Sequence, residues 1–527
     1  MTCIVRQKVG NNIYLYESTS YRNSEGKPRN KRCLIGKINR ETGDPIYRPE
    51  YLERMAANGT PIAVPAPTRF SVEDIRQSTI REYGAFYLLH EVAKDIGLLE
   101  ALKKSSPEHW QECFVLACYL VISGDPFLYC EQWIQNTECL TVGKLSSQRI
   151  SELLNSISAE QRDQFYETWC NLRTEEEYLA LDITSISSYS ELIDDVEWGY
   201  NRDQESLPQI NLCLLMGESS RLPIYQEFYS GSLKDVSTLK ATLSKLTAFI
   251  QNRPLRLVMD KGFYSAKNIN SMLEQRELRW VVAVPFTASI AKKNVDSERK
   301  DIDSVLNTIV MGSDSIRAVT KERSWNPEHR VYFHIYYNAL KGAKLREEIY
   351  AHVARLRDLA EEDPAKASED TECRKYLIIR RSERQDGYTI SIRKGVVEKE
   401  LGYAGWMVLI SNDVSDAKKA LRIYRDKDVV EKGFLRLKNS LDLGRLRVHS
   451  STNAQNKTFI GFLALILLSK IHYTMLQEKL YCKMTMKELI LSLSRVRVQE
   501  IRGARILFPL TRLQKDIFKA FEVKEPE

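Results

Sequence analysis

The hydrophobic pattern changes period near residue 178, and from there to residue 285 it reads β-β-β-α-β-α-β. The runs 178–186 (YLALDITSI), 210–216 and 222–228 are strand-like. Residues 238–250 carry a helical period, 255–259 (LRLVM) a strand, 269–276 a helix and 279–285 (RWVVAVP) a strand. Short apolar runs bounded by turn residues suit strands, whereas apolar recurrence at three and four suits helices with one buried face. Strands interleaved with helices in this order predict an α/β fold, a mixed sheet flanked by helices.

The flanks have other textures. Residues 1–65 are β-rich: 12–16 (NIYLY) and 32–38 (RCLIGKI) flank the polar turn 23–28, which predicts a hairpin. Its basic residues, Arg22, Lys27, Arg29, Lys31, Arg32, Lys37 and Arg40, form either a solvated face or a phosphate-backbone contact. The stretch 61–67 (PIAVPAP) reads as a linker, and 72–175 is helical in period. Residues 286–405 break the rhythm, with charged helical text at 340–367 and strand-like pieces at 376–380 and 388–392. They read as an α+β insertion between two parts of one domain, 176–285 and 406–478. In the second part 406–410 is a strand and 415–440 helical; 479–527 reads as a helical C-terminal region.

Of the 527 residues, 43% are apolar, enough for buried cores in several domains. The 77 basic and 70 acidic residues leave a net charge of +7. That balance fits a DNA enzyme with basic patches beside an acidic site, and equally many enzymes without a nucleic-acid partner. The ten cysteines include no C-x-x-C pair, so reduced, mostly buried thiols are expected. The first residues lack the apolar core of a signal peptide. The longest apolar run, 459–468, is shorter than the ~20 residues that span a bilayer and reads as a buried helix. No membrane association is expected. Gly-rich phosphate loops are absent from the sequence, so no nucleotide cofactor is expected.

Asp182 lies within YLALDITSI, and Asp260 follows the strand in LRLVMDKGFYS. Strand ends are where sites form in open α/β sheets, although each aspartate alone reads first as a turn or cap residue. In the segment 424–438, Tyr424, Lys427, Glu431 and Lys438 fall within ~60° on a helical wheel, beside an apolar stripe of Val430, Phe434, Leu437 and Leu441. On periodicity alone this is an ordinary amphipathic helix. Two aspartates and a glutamate would nevertheless suit a pair of magnesium ions, which prefer oxygen ligands and serve phosphoryl transfer.

These residues carry a resemblance. Tyr424, Lys427, Glu431 and Lys438 match the spacing of the tyrosine–arginine–glutamate–lysine signature of transposases of the insertion-sequence-four superfamily, with lysine where the signature has arginine. That change keeps charge but loses bidentate phosphate binding. LALDITS resembles the family's first-aspartate strand, and VMDKGFYSAKNI its second-aspartate block, with Lys261 where arginine is common. The stretch from Tyr229 to Asp235 resembles the family's Gly-Asn-x-x-Asp segment, with Ser232 for asparagine. Arg447-Val-His449, before FIGFLALIL, resembles the segment after the glutamate helix.

The resemblance implies a ribonuclease-H-like fold with Asp182, Asp260 and Glu431 as the catalytic, metal-binding triad. It implies two Mg2+ ions, with Mn2+ as substitute, and DNA contacts from Tyr424, Lys427, Lys438, Arg447 and His449. The expected partners are double-stranded DNA, as terminal inverted repeats and target, and a second copy of the chain on that DNA. The region 72–175 would bind DNA, and the protein would work in the bacterial cytoplasm, on the nucleoid. Trp325 and Trp406 are candidates for stacking on a flipped base, with core packing the preferred reading. The rivals are a nuclease on the same fold that cuts without joining, and a DNA-binding repressor that has lost catalysis. Asp194 and Asp195 read as a solvated turn, and Asp235 as the cap of a helix starting near Ser237. His449 reads equally as a phosphate contact or a packed ring.

Overall fold

The computed structural model describes every residue except 1, 10–11, 25, 40–44, 58–70, 174–175, 251–252, 382–386 and 502–503. The stretch 61–67 and Arg40 therefore lie outside the described residues. The chain divides into two compact units, Met1–Ser78 and Thr79–Glu527.

In the first unit, strands Thr2–Val9, Asn12–Arg22, Pro28–Ile38 and Pro45–Tyr47 pair in that order as an antiparallel sheet. The predicted hairpin is present and longer than its apolar runs, because strands of alternating polar residues continue to the turn at Gly26, which takes a positive φ of 77°. Leu15, Ile35 and Tyr51 of the following helix Pro49–Ala57 form its small core. Arg22, Lys27, Arg29, Lys31, Arg32 and Lys37 are all exposed.

The second unit is built on a nine-stranded mixed sheet. Its elements in chain order are β1 (Leu179–Ser187), β2 (Gln209–Gly217), β3 (Pro223–Ser230), α1 (Asp235–Phe249), β4 (Leu255–Met259), α2 (Ala266–Leu273) and β5 (Leu278–Ala283). Then follow β6 (Thr308–Met311), β7 (Asp314–Ser324), β8 (Arg330–Tyr337), β9 (Trp406–Ser411), α3 (Ala417–Asp426), α4 (Asp428–Asn439) and α5 (Ser451–Gln477). Across the sheet the order is β6-β7-β8-β9-β5-β4-β1-β2-β3. β1, β4 and β5 run parallel, and the remaining pairs are antiparallel. β1 and β2 are buried almost throughout, which their near-continuous apolar text requires of strands covered on both faces. The β-β-β-α-β-α-β order expected for 178–285 is present.

The segment 286–405 divides in a way its sequence does not show. Residues 308–337 supply β6–β8, which extend the sheet through β9. Residues 339–402 carry the charged helix Ala339–Glu362, the hairpin Leu377–Arg381 with Tyr388–Ile392, and the helix Lys394–Gly402, around a separate cluster including Val353, Leu356, Tyr376 and Leu401. Short Val- and Tyr-rich runs such as VYFHIYY belong to whichever edge is free, and here the free edge is that of the main sheet.

Helices Gly84–Asp95, Leu98–Ser105, Trp110–Ile122, Ser147–Ser156 and Ala159–Leu172 precede the sheet. α5 packs against Trp110–Ile122, Ser147–Ser156, β3 and α4. It is long and apolar enough to cross a membrane by composition, yet most of it is buried inside the protein, as an all-round apolar helix in a core must be. After α5 come helices Met486–Ser494 and Arg512–Ala520. Between them, unexpected from the sequence, strand Arg497–Ile501 pairs with Ala504–Leu507 on one side and with Thr79–Glu82 on the other. The alternation in VRV, with Val496 and Val498 buried on either side of exposed Arg497, is a strand period too short to stand out beside helical neighbours. The described cysteines are all free, and most are buried.

Candidate active site

The two aspartates meet because of strand register. β1 and β4 are parallel, and their last registered pair is Leu181 with Met259. Asp182 is the next residue of β1 and Asp260 the first residue past β4, so they follow paired residues of neighbouring strands, which lie ~4.8 Å apart. Asp182 takes a hydrogen bond from the Ile183 amide (2.9 Å). Burial raises its pKa, Lys427 opposes that rise and Asp260 adds to it.

The glutamate helix reaches this point over β1 and β2. It comes close because Gly433 has no side chain: a Cβ there would meet the Sδ of Met216. The helix expected over 415–440 is interrupted at Lys427, which ends α3 and begins α4 with φ −53° and ψ −23°. Those angles are helical, so Tyr424, Lys427 and Glu431 still face the sheet edge together. Tyr424 donates its phenol to Asp260 Oδ1 (2.8 Å). Burial, with Asp260 beside it, pushes that phenol's pKa well up.

Lys427 is buried, and its Nζ lies 2.9 Å from Glu431 Oε1 and 3.6 Å from Asp182 Oδ2. Burial lowers its pKa, but the facing Asp182 and Glu431 carboxylates more than offset this and leave it raised. Glu431 itself is half-exposed. Among the described residues no three His, Cys, Asp or Glu side chains are placed to hold one metal ion, and the Lys427 ammonium stands between Asp182 and Glu431. The donor set is all carboxylate oxygen, which is the chemistry that magnesium or manganese takes.

Lys438 is largely buried and pairs with Asp203 (2.6 Å). Arg447 and His449 are exposed, and Arg447 pairs with Asp442 (2.6 Å). Trp406 is half-buried against the Tyr337 ring (4.8 Å), and the Trp325 indole donates to Asn270 Oδ1 (2.6 Å).

Sequence reasoning missed the connection 188–208, between β1 and β2. Arg202 bonds Asn211 (3.3 Å) and Asp235, and its charge acts on Asp182. Asp235 is thus no helix cap: it lies in the first turn of α1, whose cap residue is Lys234, and its carboxylate is taken by Arg202. Glu205 binds Arg445 (2.5 Å) and Ser187 (2.6 Å), and Arg445 bridges to Ser187 in parallel fashion. A cluster of charges in NRDQE was visible, but no spacing tied it to the distant cations. Asp194 and Asp195 lie in this connection, Asp194 exposed and Asp195 half-buried.

No curated protein matches the chain. A cryo-EM structure of the piggyBac transposase synaptic complex with hairpin DNA shares 11% identity, covers 84% of this chain and 75% of that one, and has a TM-score of 0.37, a likeness too loose to bear on function. The transposase DDE domain model matches residues 173–467, which hold Asp182, Asp260 and Glu431 and make up more than half of the sequence. The chain belongs to the DDE transposase family.

Proposed function

We propose that this protein is a cut-and-paste DNA transposase of the insertion-sequence-four superfamily, in the subgroup with a long insertion before the glutamate. The carrying observation is the meeting of Asp182, on one strand, and Asp260, just past the adjacent parallel strand, with Lys427 joining Asp182 to Glu431 and Tyr424 joined to Asp260. Asp182, Asp260 and Glu431 would hold two Mg2+ ions, with Mn2+ as substitute. When bound, the ions supply activation of the attacking oxygen and stabilisation of the leaving one.

The chain's own groups do the rest. Tyr424 orients Asp260, and Lys427 opposes the rise in pKa that burial imposes on Asp182. Of the expected DNA contacts, Lys438, Arg447 and His449 form the DNA-contacting set, Lys438 and Arg447 by holding phosphates, while Tyr424 and Lys427 are taken by Asp260 and by the Asp182 and Glu431 carboxylates. The exposed cations of the N-terminal sheet and the helical region 72–175 recognise the terminal inverted repeats. Hydrolysis at the element end frees a 3′-hydroxyl, which attacks target DNA. Both ends must be joined, so the working form is a homodimer on DNA, with residues 479–527 contributing to the contact. The site of action is the cytoplasm, on the nucleoid.

The test uses labelled donor DNA carrying the sequences that flank the gene, with Mg2+. Wild-type protein is expected to yield both cut and joined products, and Asp182→Ala neither. Cutting without joining favours a simple nuclease. Cleavage unchanged in Asp182→Ala removes the catalytic assignment.

A further inference from the structure

One flank of α4, turned ~100–140° from Glu431 about the helix axis, carries Lys432 and Arg436 a single turn apart. Gly433 sets this part of the helix against Met216, at the end of β2. Just beyond, the chain turns back into β3. Hydrogen bonds from the Gly217 amide to the Leu222 carbonyl (2.9 Å) and from the Arg221 amide to the Gly217 carbonyl (3.1 Å) close that turn. Arg221 stands in it with a positive φ of 58°, uncommon for a residue with a side chain. α5 packs along α4 and carries His472, whose Nδ1 lies 2.6 Å from the Tyr481 hydroxyl in the turn Leu480–Cys482.

These groups act on one another. Burial, then Arg436, Arg221 and Lys432, push the His472 imidazole down to about 4, so the ring is neutral at neutral pH. Burial lowers the pKa of the half-buried Arg436, the Tyr481 phenol opposes this, and Arg221 adds to it. No carboxylate enters that balance. Among the described residues the Arg436 guanidinium has neither an ion pair nor a hydrogen bond. Lys432 is held by Asp428 (2.5 Å), and Asp426 feels Arg422 more than Arg221.

A half-buried guanidinium beside a second one, with no acid facing it, is charge left uncompensated where water is scarce. An anion from outside offsets it. Guanidinium groups take phosphate oxygens with paired N–H donors, and a neutral imidazole keeps one N–H for a further oxygen. Two guanidinium groups and an imidazole exceed what the two oxygens of a carboxylate can receive, and they suit the tetrahedral set of a phosphate.

We infer that Arg221, Arg436 and His472 form a phosphate-binding site on the flank of α4, and that a phosphodiester of the DNA backbone fills it. The site stands on its own geometry, and the identity of its occupant rests on the DNA-processing reading above.

The full chain and the variants Arg436→Met and Arg221→Met are melted in inorganic phosphate (~50 mM) and in chloride of equal ionic strength. Phosphate is expected to raise wild-type melting by ~1 °C or more beyond the rise in either variant. Comparison with the variants removes the general stabilising effect of phosphate on proteins. In chloride, Arg436→Met, which keeps the apolar stem, is expected to melt no lower than wild type. Anisotropy of a fluorescent duplex of arbitrary sequence, with EDTA present to prevent cleavage, reads the occupant. Arg436→Met is expected to lower the log–log salt slope of duplex binding by ~1, as for one lost phosphate contact. An equal phosphate rise in all three proteins overturns the site, as does Arg436→Met melting ~3 °C or more below wild type in chloride. A phosphate rise confined to wild type with an unchanged salt slope overturns the DNA backbone as occupant in favour of a free oxyanion. Wild-type protein that does not bind the duplex overturns the DNA-processing reading, and melting still decides the site.

Discussion

The ammonium of Lys427 lies 2.9 Å from Oε1 of Glu431, and the same nitrogen is 3.6 Å from Asp182. A lysine fits here because a compact point charge can stand between two carboxylates. Removing it leaves Asp182 buried without its cation. Lys427→Met is expected to cost about 1–3 kcal/mol at neutral pH, discounted from a fully buried pair because Glu431 is half-exposed. Adding Asp182→Asn should recover much of the loss. Urea denaturation of the single and double variants measures this coupling, and additive effects would show that the two groups are independent.

Tyr424 touches Asp260 through one hydrogen bond, so Tyr424→Phe separates two roles. If the phenol positions Asp260, single-turnover cleavage should fall ~10-fold or more, the worth of a hydrogen bond to a charged group, with DNA affinity unchanged. A fall in affinity with cleavage intact would make Tyr424 a phosphate contact instead.

Asp203 occupies the Lys438 ammonium. Asp203→Asn is expected to tighten duplex binding at low salt and to steepen the salt dependence by ~1 in the log–log slope, as for one added phosphate contact. Titrations at several salt concentrations decide it, and weaker binding would show that Asp203 serves only to hold Lys438 in position.

Glu218 follows β2, with Asp426 and Glu177 nearby, and burial pushes its carboxyl up to about 7. A folded-state pKa above the unfolded value means that stability from the protonated form is complete below the ordinary carboxylate range and is lost as pH rises through about 7. Glu218→Gln should therefore be more stable than wild type at pH ~8, by about 1–3 kcal/mol, with the gap closing toward pH ~4. A gap constant across pH would remove the titration as its cause.

Much of the site was legible in the sequence, for particular reasons. Asp182 and Asp260 stood out because each sits on or just past a short, mainly apolar run, but local pattern alone left them as turn or cap residues and Glu431 on an ordinary amphipathic helix, and it was the resemblance that joined the three. Elsewhere the local pattern is silent or points the wrong way. Asp235 looks like a cap from its neighbours, but Arg202, 33 residues away, claims its carboxylate. Arg445, two residues from the expected Arg447, is the one tied to β1.

The order of strands and helices in the core, and the carboxylates available to it, were already set by the amino-acid sequence, because periodicity and spacing are properties of contiguous residues. Folding in three dimensions added that Leu181 pairs with Met259 and so sets the aspartates side by side, that residues 308–337 extend the main sheet, and that Lys427 turns inward between Asp182 and Glu431. Those outcomes depend on register, close approach and the electrostatic cost of a buried charge, and each is settled by residues far apart in the chain.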